Sequence, residues 1–454
     1  MSPMRLSDAL SATLRRTGLE VFTSARSRID PRWIEAALAT VNGIAVRRRK
    51  LPADVVVWTV IGAAIFSRWS FDEVVRAFGL TPSTRRGNAR SAPRSSSVAE
   101  ARERLGSEVI RHVFRLATAS WLDLREMMGP EWQGLRVLAA DGSAFCTRDT
   151  PSNREAFKLP ASDKDKPQAA YPQVKLLALL DVHSHIVLDA EVGNCRMGDI
   201  TLFEAMIPRV PDRSLVILDR GFRSWGMLHR LGRSGTQRHW LLRTHRTLKA
   251  KLVTPLGPGD RIVEIETSSK ARELDPLQPK RMQVREITYA IGPNVYKLIT
   301  SLLDPVLFPA EELVRLYHAR WEIEIAFDDI KTEQRGGNDV LRSRKPDGIH
   351  QEIWGLLLAH NLVRVEMSRA AFLAGLPPTR ISFHGALRLV GQHLQTIPAS
   401  AAPSKLGEYE RFLRETISFL ILPPRRIKRT FPRAVKRVSS KYPKKPSLQP
   451  TIGV

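Results

Sequence analysis

The chain has 454 residues, 43% of them hydrophobic, with 27 Gly and 30 Pro dispersed rather than clustered, which excludes a disordered or fibrous polymer and leaves room for two or three packed domains. A formal charge of +25 and a pI near 10.7 disfavour basic partners and favour polyanions, either nucleic acid or an acidic membrane surface. Cys146 and Cys195 are the only cysteines and form no CxxC pair, which excludes a disulfide framework or a structural zinc site. The N-terminal stretch MSPMRLSDALSATLRR lacks the apolar core of a signal peptide. The most apolar window, residues 55–66, falls short of the ~20 residues a membrane span needs. The expected location is therefore the cytoplasm, in association with the nucleoid, with the charge turned toward DNA or RNA.

Three zones follow in chain order. Residues 1–125 carry apolar residues at three- and four-residue steps in IDPRWIEAALATVN, LPADVVVWTVIGAAIFSRWSFDEVVRAFG and SSSVAEARERLGSEVIRHVFRLATASWL, which predicts helices. A basic, Ser-rich loop is expected over 81–97. Residues 126–345 change period: LRVLAAD, VKLLALLDV, HIVLDAEV, SLVILD and HWLLRT read as strands, with LFEAMI as a helix among them. That alternation predicts an α/β zone, a mixed sheet under helical cover. Residues 246–303 return to strand and turn, a long insertion ending in NVYKLITSLL. Residues 346–454 open with the apolar-striped helix GIHQEIWGLLLAHNLVRVEMSRAAFLAG and end in a basic tail.

Between the second and third zones lies YHARWEIEIAFDDIK, residues 317–331. On one helix at about 100° per residue, Tyr317, Arg320, Glu324, Asp328 and Lys331 share an arc of about 80°. Leu316, Ala319, Ile323, Ala326, Phe327 and Ile330 form the opposing apolar stripe. An ordinary amphipathic helix with i,i+4 charge pairs would look the same. Two further carboxylates follow apolar runs: Asp141 after LRVLAA and before Gly142, and Asp219 after SLVIL and before Arg220 and Gly221. Each is expected to end a strand, where Asp is a common turn former. With Glu324 they also make three carboxylates that a sheet and a packed helix could bring to one point, where only a cation relieves their repulsion. Hard oxygen ligands suit Mg²⁺ or Mn²⁺, and two such ions about 3.5–4 Å apart clamp both oxygens of a phosphodiester displacement.

The order Tyr317, two residues, Arg320, three residues, Glu324, six residues, Lys331 resembles the signature of the DDE transposases of bacterial insertion sequences, in the branch named after insertion sequence four. VLAADGS looks like the segment with the first family Asp, VILDRGF like the one with the second, and RDTPSNREAF, with Asp149, Asn153 and Phe157, like the loop after the first. The likeness runs along nearly the whole chain. It implies an RNase H-like catalytic core with a strand-rich insertion, a helical DNA-binding N-terminal domain, and a helical C-terminal region with a basic tail. It further implies metal held by Asp141, Asp219 and Glu324, as two ions, and DNA held by Tyr317, Arg320, Lys331 and Arg220. Tyr296 would receive a flipped base from double-stranded transposon ends, at a position where relatives carry Trp. The implied activity is end cleavage through a hairpin and joining to target DNA by a homodimer in the end complex, without a nucleotide cofactor.

Other motifs are weaker. His183 and His185 read as hairpin residues, and no GxxxxGK[ST] run points to ATP. Two rival functions stay open: a DNA-binding regulator or decayed transposase without catalysis, and a metal-dependent nuclease that cuts but does not join.

Overall fold

The structure, a computed structural model, describes residues 29–41, 51–77, 95–124, 131–160, 171–244, 248–337, 340–396 and 403–424. The expected basic tail, most of the 81–97 loop and the first 28 residues lie outside these. Asp30 opens α1 (Pro31–Thr40) by accepting the Arg32 N–H at 2.8 Å, with proline in the first turn. Helix α2 (Ala53–Ile65) is apolar on every side and is buried from Val55 to Ile65, as an all-apolar helix must be. α3 (Phe71–Ala77) follows. The next apolar-periodic stretch divides into α4 (Ser95–Leu105) and α5 (Ser107–Leu122), because Gly106 takes a positive φ of 74° that the helix cannot continue through.

The sheet is then laid down by β1 (Arg136–Thr147), followed by α6 (Pro151–Phe157), β2 (Gln173–Asp181), β3 (Val187–Asn194), α7 (Asp199–Met206), β4 (Ser214–Leu218), α8 (Trp225–Arg233) and β5 (Arg238–Thr244). The insertion supplies β6 (Lys251–Gly257), β7 (Asp260–Glu266), α9 (Ser269–Leu274), β8 (Arg281–Ile291) and β9 (Asn294–Thr300). After α10 (Ala310–His318) and α11 (Trp321–Asp328) come β10 (Val340–Leu341), α12 (Pro346–Leu373), α13 (Phe383–Thr396) and α14 (Pro403–Ser418). Strand order is β3-β2-β1-β4-β5-β9-β8-β7-β6, with β10 parallel to the end of β1. β1, β4 and β5 run parallel, whereas β2 and β3 are antiparallel, so the mixed α/β class read from the apolar runs holds. The insertion does not fold apart, since β9 pairs antiparallel with β5 from Leu241↔Thr300 to Thr244↔Lys297 and continues the same sheet.

Helix α12 joins the zones. Val60 of α2 approaches Gly355 so closely that a Cβ there would fall 2.5 Å from its Cγ1, and Phe114 of α5 packs on Trp354 with ring centres 5.4 Å apart. Farther along, Asn361 clamps the β3 edge, accepting the Val187 N–H at 2.8 Å and donating to the Val187 carbonyl at 2.7 Å. One apolar core therefore runs from Ile29 to Ile417, with a smaller cluster around Leu241, Leu298 and Phe308. Its driving force is ordinary burial at about 25 cal/mol per Å².

Candidate active site

Parallel pairing of β1 and β4 sets Ala140 beside Leu218, so Asp141 and Asp219 each come one residue after the last pair of two adjacent strands, which in a sheet run about 4.8 Å apart. The two strands differ beyond that point. β4 ends at Leu218, and Asp219 caps a short turn by accepting the Gly221 N–H at 2.7 Å. Asp141, expected to end its strand, instead lies within β1, which continues to Thr147 because β2 still pairs with it as far as Cys146↔Gln173. Gly142 is consequently not a turn residue. A Cβ there would fall 2.2 Å from Asp199 Oδ1, whose carboxylate pairs with Lys175 at 3.0 Å on the face opposite Asp141.

The signature segment is not one regular helix. α10 stops at His318, and the chain passes through i→i+3 bonds, Ala319 N–H to Leu316 O at 2.9 Å and Glu322 N–H to Ala319 O at 3.0 Å, before α11. After Asp328 it widens into a π turn, Asp329–Gln334. The tight turn overwinds and the wide turn underwinds, so the two departures oppose each other and the side chains still face one strand. Arg320 Nη1 donates to Asp141 Oδ2 at 3.2 Å and Nη2 to Glu324 Oε1 at 2.8 Å. Lys331 Nζ lies 5.1 Å from the ring centre of Phe145, four residues beyond Asp141 on the same face of β1.

Burial pushes the Asp141 carboxyl above its usual range; the Gly142 N–H and Arg320 oppose the rise, and the charges of Asp219 and Glu324 add to it. Burial likewise raises the Tyr317 hydroxyl, against Arg320 and Arg243. Arg320 thus links Asp141 to Glu324, and Asp219 and Tyr317 lie near enough for their charges to act on the same groups. Arg220 is exposed one residue beyond Asp219. Among the described residues, no three His, Cys, Asp or Glu side chains are gathered as a ready metal site, and the Arg320 guanidinium pairs with both Asp141 and Glu324. The donor chemistry nevertheless fits a hard divalent cation: the groups are carboxylate oxygens, and two of them already share a cation.

Tyr296 lies on β9 directly across from Tyr289 of β8, their ring centres 5.5 Å apart, and Arg243 of β5 stands 4.5 Å over the Tyr296 ring. His318 meets Tyr289 edge-on at 6.2 Å. Sequence reasoning missed Arg243 and Tyr289. The one available signal was a charged residue closing the apolar run HWLLRT, and only the β5–β9–β8 register shows what it meets. Also missed was the support behind the site: His185 Nε2 is 2.8 Å from Glu322 Oε2, and the buried Arg364 of α12 pairs with Asp329 of the π turn. His183 and His185 do lie at the β2–β3 turn.

The family model of the transposase DDE domain matches residues 132–362, and that of the insertion element 4 transposase N-terminal region matches residues 19–115. The chain belongs to the DDE transposases of the IS4 family. It is 34% identical over 452 residues to the transposase InsG for insertion sequence element IS4 of Escherichia coli strain K12, covering 99% of this chain and 100% of that one. Among solved structures it is similar to a piggyBac transposase synaptic complex with hairpin DNA, at 12% identity and a TM-score of 0.38 over 90% of this chain and 86% of that one. Family membership carries with it the RNase H-like class of the core and the activity of a DNA-cleaving, strand-transferring enzyme. Among the described residues no helix is long and apolar enough to cross a membrane.

Proposed function

We propose that this transposase cuts its element free at double-stranded ends and joins those ends to target DNA, with Asp141, Asp219 and Glu324 as the reacting centre. The observation that carries the reading is the shared contact of Arg320 with Asp141 and Glu324, beside Asp219. The three carboxylates would hold Mg²⁺ or Mn²⁺, as two ions, which would supply Lewis-acid activation of the phosphoryl group and of the attacking oxygen. The chain's own residues do the rest. Arg320 and Lys331 bind phosphate oxygens beside the carboxylates, Arg220 adds charge on the Asp219 side, and the Tyr317 hydroxyl donates to a phosphate.

A water-driven nick, attack of the freed 3′-hydroxyl on the opposite strand, hairpin opening and target joining are all in-line displacements at phosphorus, so one site serves them in turn. The Tyr289–Tyr296 pair, backed by Arg243, is the stacking surface for a base displaced at the hairpin, worth about 1–3 kcal/mol per base. Residues 1–125 serve as the DNA-binding part, 126–345 as the catalytic part with its insertion, and 346–454 as the part that brings a homodimer and its basic tail to the DNA. The setting is the cytoplasm, at the nucleoid. A gel assay with labelled element ends and a target plasmid tests this: wild type yields nicked, hairpin and joined products in Mg²⁺ or Mn²⁺. Asp219→Asn binds ends but yields none of these products. Cleavage without joining would leave a nuclease, and unimpaired cleavage by Asp219→Asn would overturn the assignment.

A further inference from the structure

Positive charge continues along β1 past the catalytic carboxylates. Lys331 and Arg335 stand over Phe145 at 5.1 and 5.6 Å. Just beyond the strand's end, Arg148, Asp149, Tyr171 and Arg344 help to line an open cleft of about 520 Å³. The acids nearby are engaged: Asp149 accepts from Arg154 at 2.9 Å, and Glu352 accepts the N–H groups of Arg342 and Ser343 at 3.0 and 2.6 Å. Arg342 is itself taken up by the carbonyls of Trp69 and Ala63, at 2.6 and 2.9 Å. Arg148 and Arg344 are different. Both are exposed, and among the described residues neither guanidinium has a partner.

Their backbones, by contrast, are fixed. Asn153, fully buried, donates to the Arg148 carbonyl at 3.0 Å and to the Ser343 carbonyl at 3.3 Å, while Thr150 Oγ donates to the Arg344 carbonyl at 2.8 Å. The loop RDTPSNREAF thus fastens two arginine-bearing segments side by side, which gives the motif a purpose that the carboxylates do not.

We propose that Arg148 and Arg344 form a second phosphate-binding site that grips duplex DNA away from the scissile bond, an inference that rests on the reading of the protein as a DNA-cutting transposase. Seven residues of extended chain separate Asp141 from Arg148, about 23 Å, which matches about seven base pairs of B-form duplex. Two unpaired guanidiniums on a rigid mount suit the bidentate grip of phosphate, not the reading of bases. The DNA held there is either the element's own end or the flanking DNA beyond the cut.

Two duplexes separate these sources, one carrying the terminal repeat and stopping flush at the cut, the other extended into the flank by about 15 base pairs, a length chosen to pass the ~23 Å span. Binding by full-length protein without divalent metal is followed by fluorescence anisotropy across a salt series. Arg148→Ala/Arg344→Ala is expected to bind about tenfold more weakly, with a log–log salt slope lower by about 2, and to melt as wild type does. Weaker binding already on the flush duplex assigns the site to the element's end; weaker binding on the extended duplex alone assigns it to the flank. A folded double variant with wild-type affinity and slope on both duplexes overturns the second site and leaves the transposase reading standing. A wild-type protein that binds neither duplex overturns both.

Discussion

Arg320 reaches across 179 residues of sequence to donate to Asp141 Oδ2 at 3.2 Å. Its second amino group holds Glu324 at 2.8 Å, so one guanidinium stands between two of the three carboxylates. In the DNA-free protein this arginine partly neutralises the cluster; on the proposed reading the same fork would turn to a phosphate when DNA binds. Arg320→Ala is therefore expected to weaken end binding by about 10–100-fold, the range of a charge-assisted pair worth about 1.5–3 kcal/mol. Anisotropy with labelled ends measures it, and wild-type affinity in the variant would remove Arg320 from the DNA-binding residues.

Much of this was legible in the sequence, and the reasons differ from part to part. The apolar runs marked the strands because both faces of a covered mixed sheet are buried, and the spacing from Tyr317 to Lys331 survived even though the helix carrying it is broken and widened. Asp141 was misplaced at a strand end because its strand is prolonged by β2 and β10, two partners that no local pattern reveals. Gly142 likewise answers to Asp199, far along the chain, rather than to a turn. Arg243 and Tyr289 become neighbours of Tyr296 only through strand register, and Arg364 becomes the partner of Asp329 only through the packing of α12.

The Asp329–Arg364 pair supports a pH test. Burial raises the Asp329 carboxyl to about 6, although the Arg364 charge pulls it back, and burial also lowers Arg364. Because the folded-state value lies above the ordinary 3.8, the contribution of Asp329 to stability is fully present below about pH 4 and is lost as pH rises through about 6. Asp329→Asn cannot titrate and escapes this loss. The variant should gain on wild type by about 2 kcal/mol between pH 4 and pH 7. Urea unfolding at a series of pH values measures the gap; a gap that stays flat, or moves the other way, would show that Arg364 holds the carboxylate ionised throughout.

The basic tail carries ten Lys and Arg residues and no acid between residues 425 and 445. If it lies along phosphate, deleting residues 425–454 weakens end binding more at low salt than at high salt, with a log–log slope reduced by about 0.9 for each phosphate that the tail neutralised. Titrations at several salt concentrations test this, and an unchanged slope would mark the tail as a spacer or a protein-binding segment.

Glu324 and Lys331 lie on one segment but should fail in opposite ways. Glu324→Ala removes a carboxylate from the cluster and releases Arg320, so cleavage should stop while DNA affinity holds or rises. Lys331→Ala removes a cation that stands over Phe145 and that the proposed reading assigns to phosphate, so end complexes and hairpins should diminish while the three carboxylates stay in place. Neither change should unfold the protein: the Glu324 side chain is 37% exposed and its bond to Arg320 is an i,i+4 pair, worth about 0.5 kcal/mol on a helix surface. The experiment measures end binding, nicking and hairpin yield for both variants beside their melting temperatures. If the two variants melt as wild type does and lose different steps, the arc from Tyr317 to Lys331 is a working surface with the metal-directed and phosphate-directed tasks on separate side chains. If both keep full activity, these residues form an ordinary charged face of an amphipathic segment, and the assignment of Glu324 to the reacting centre is wrong.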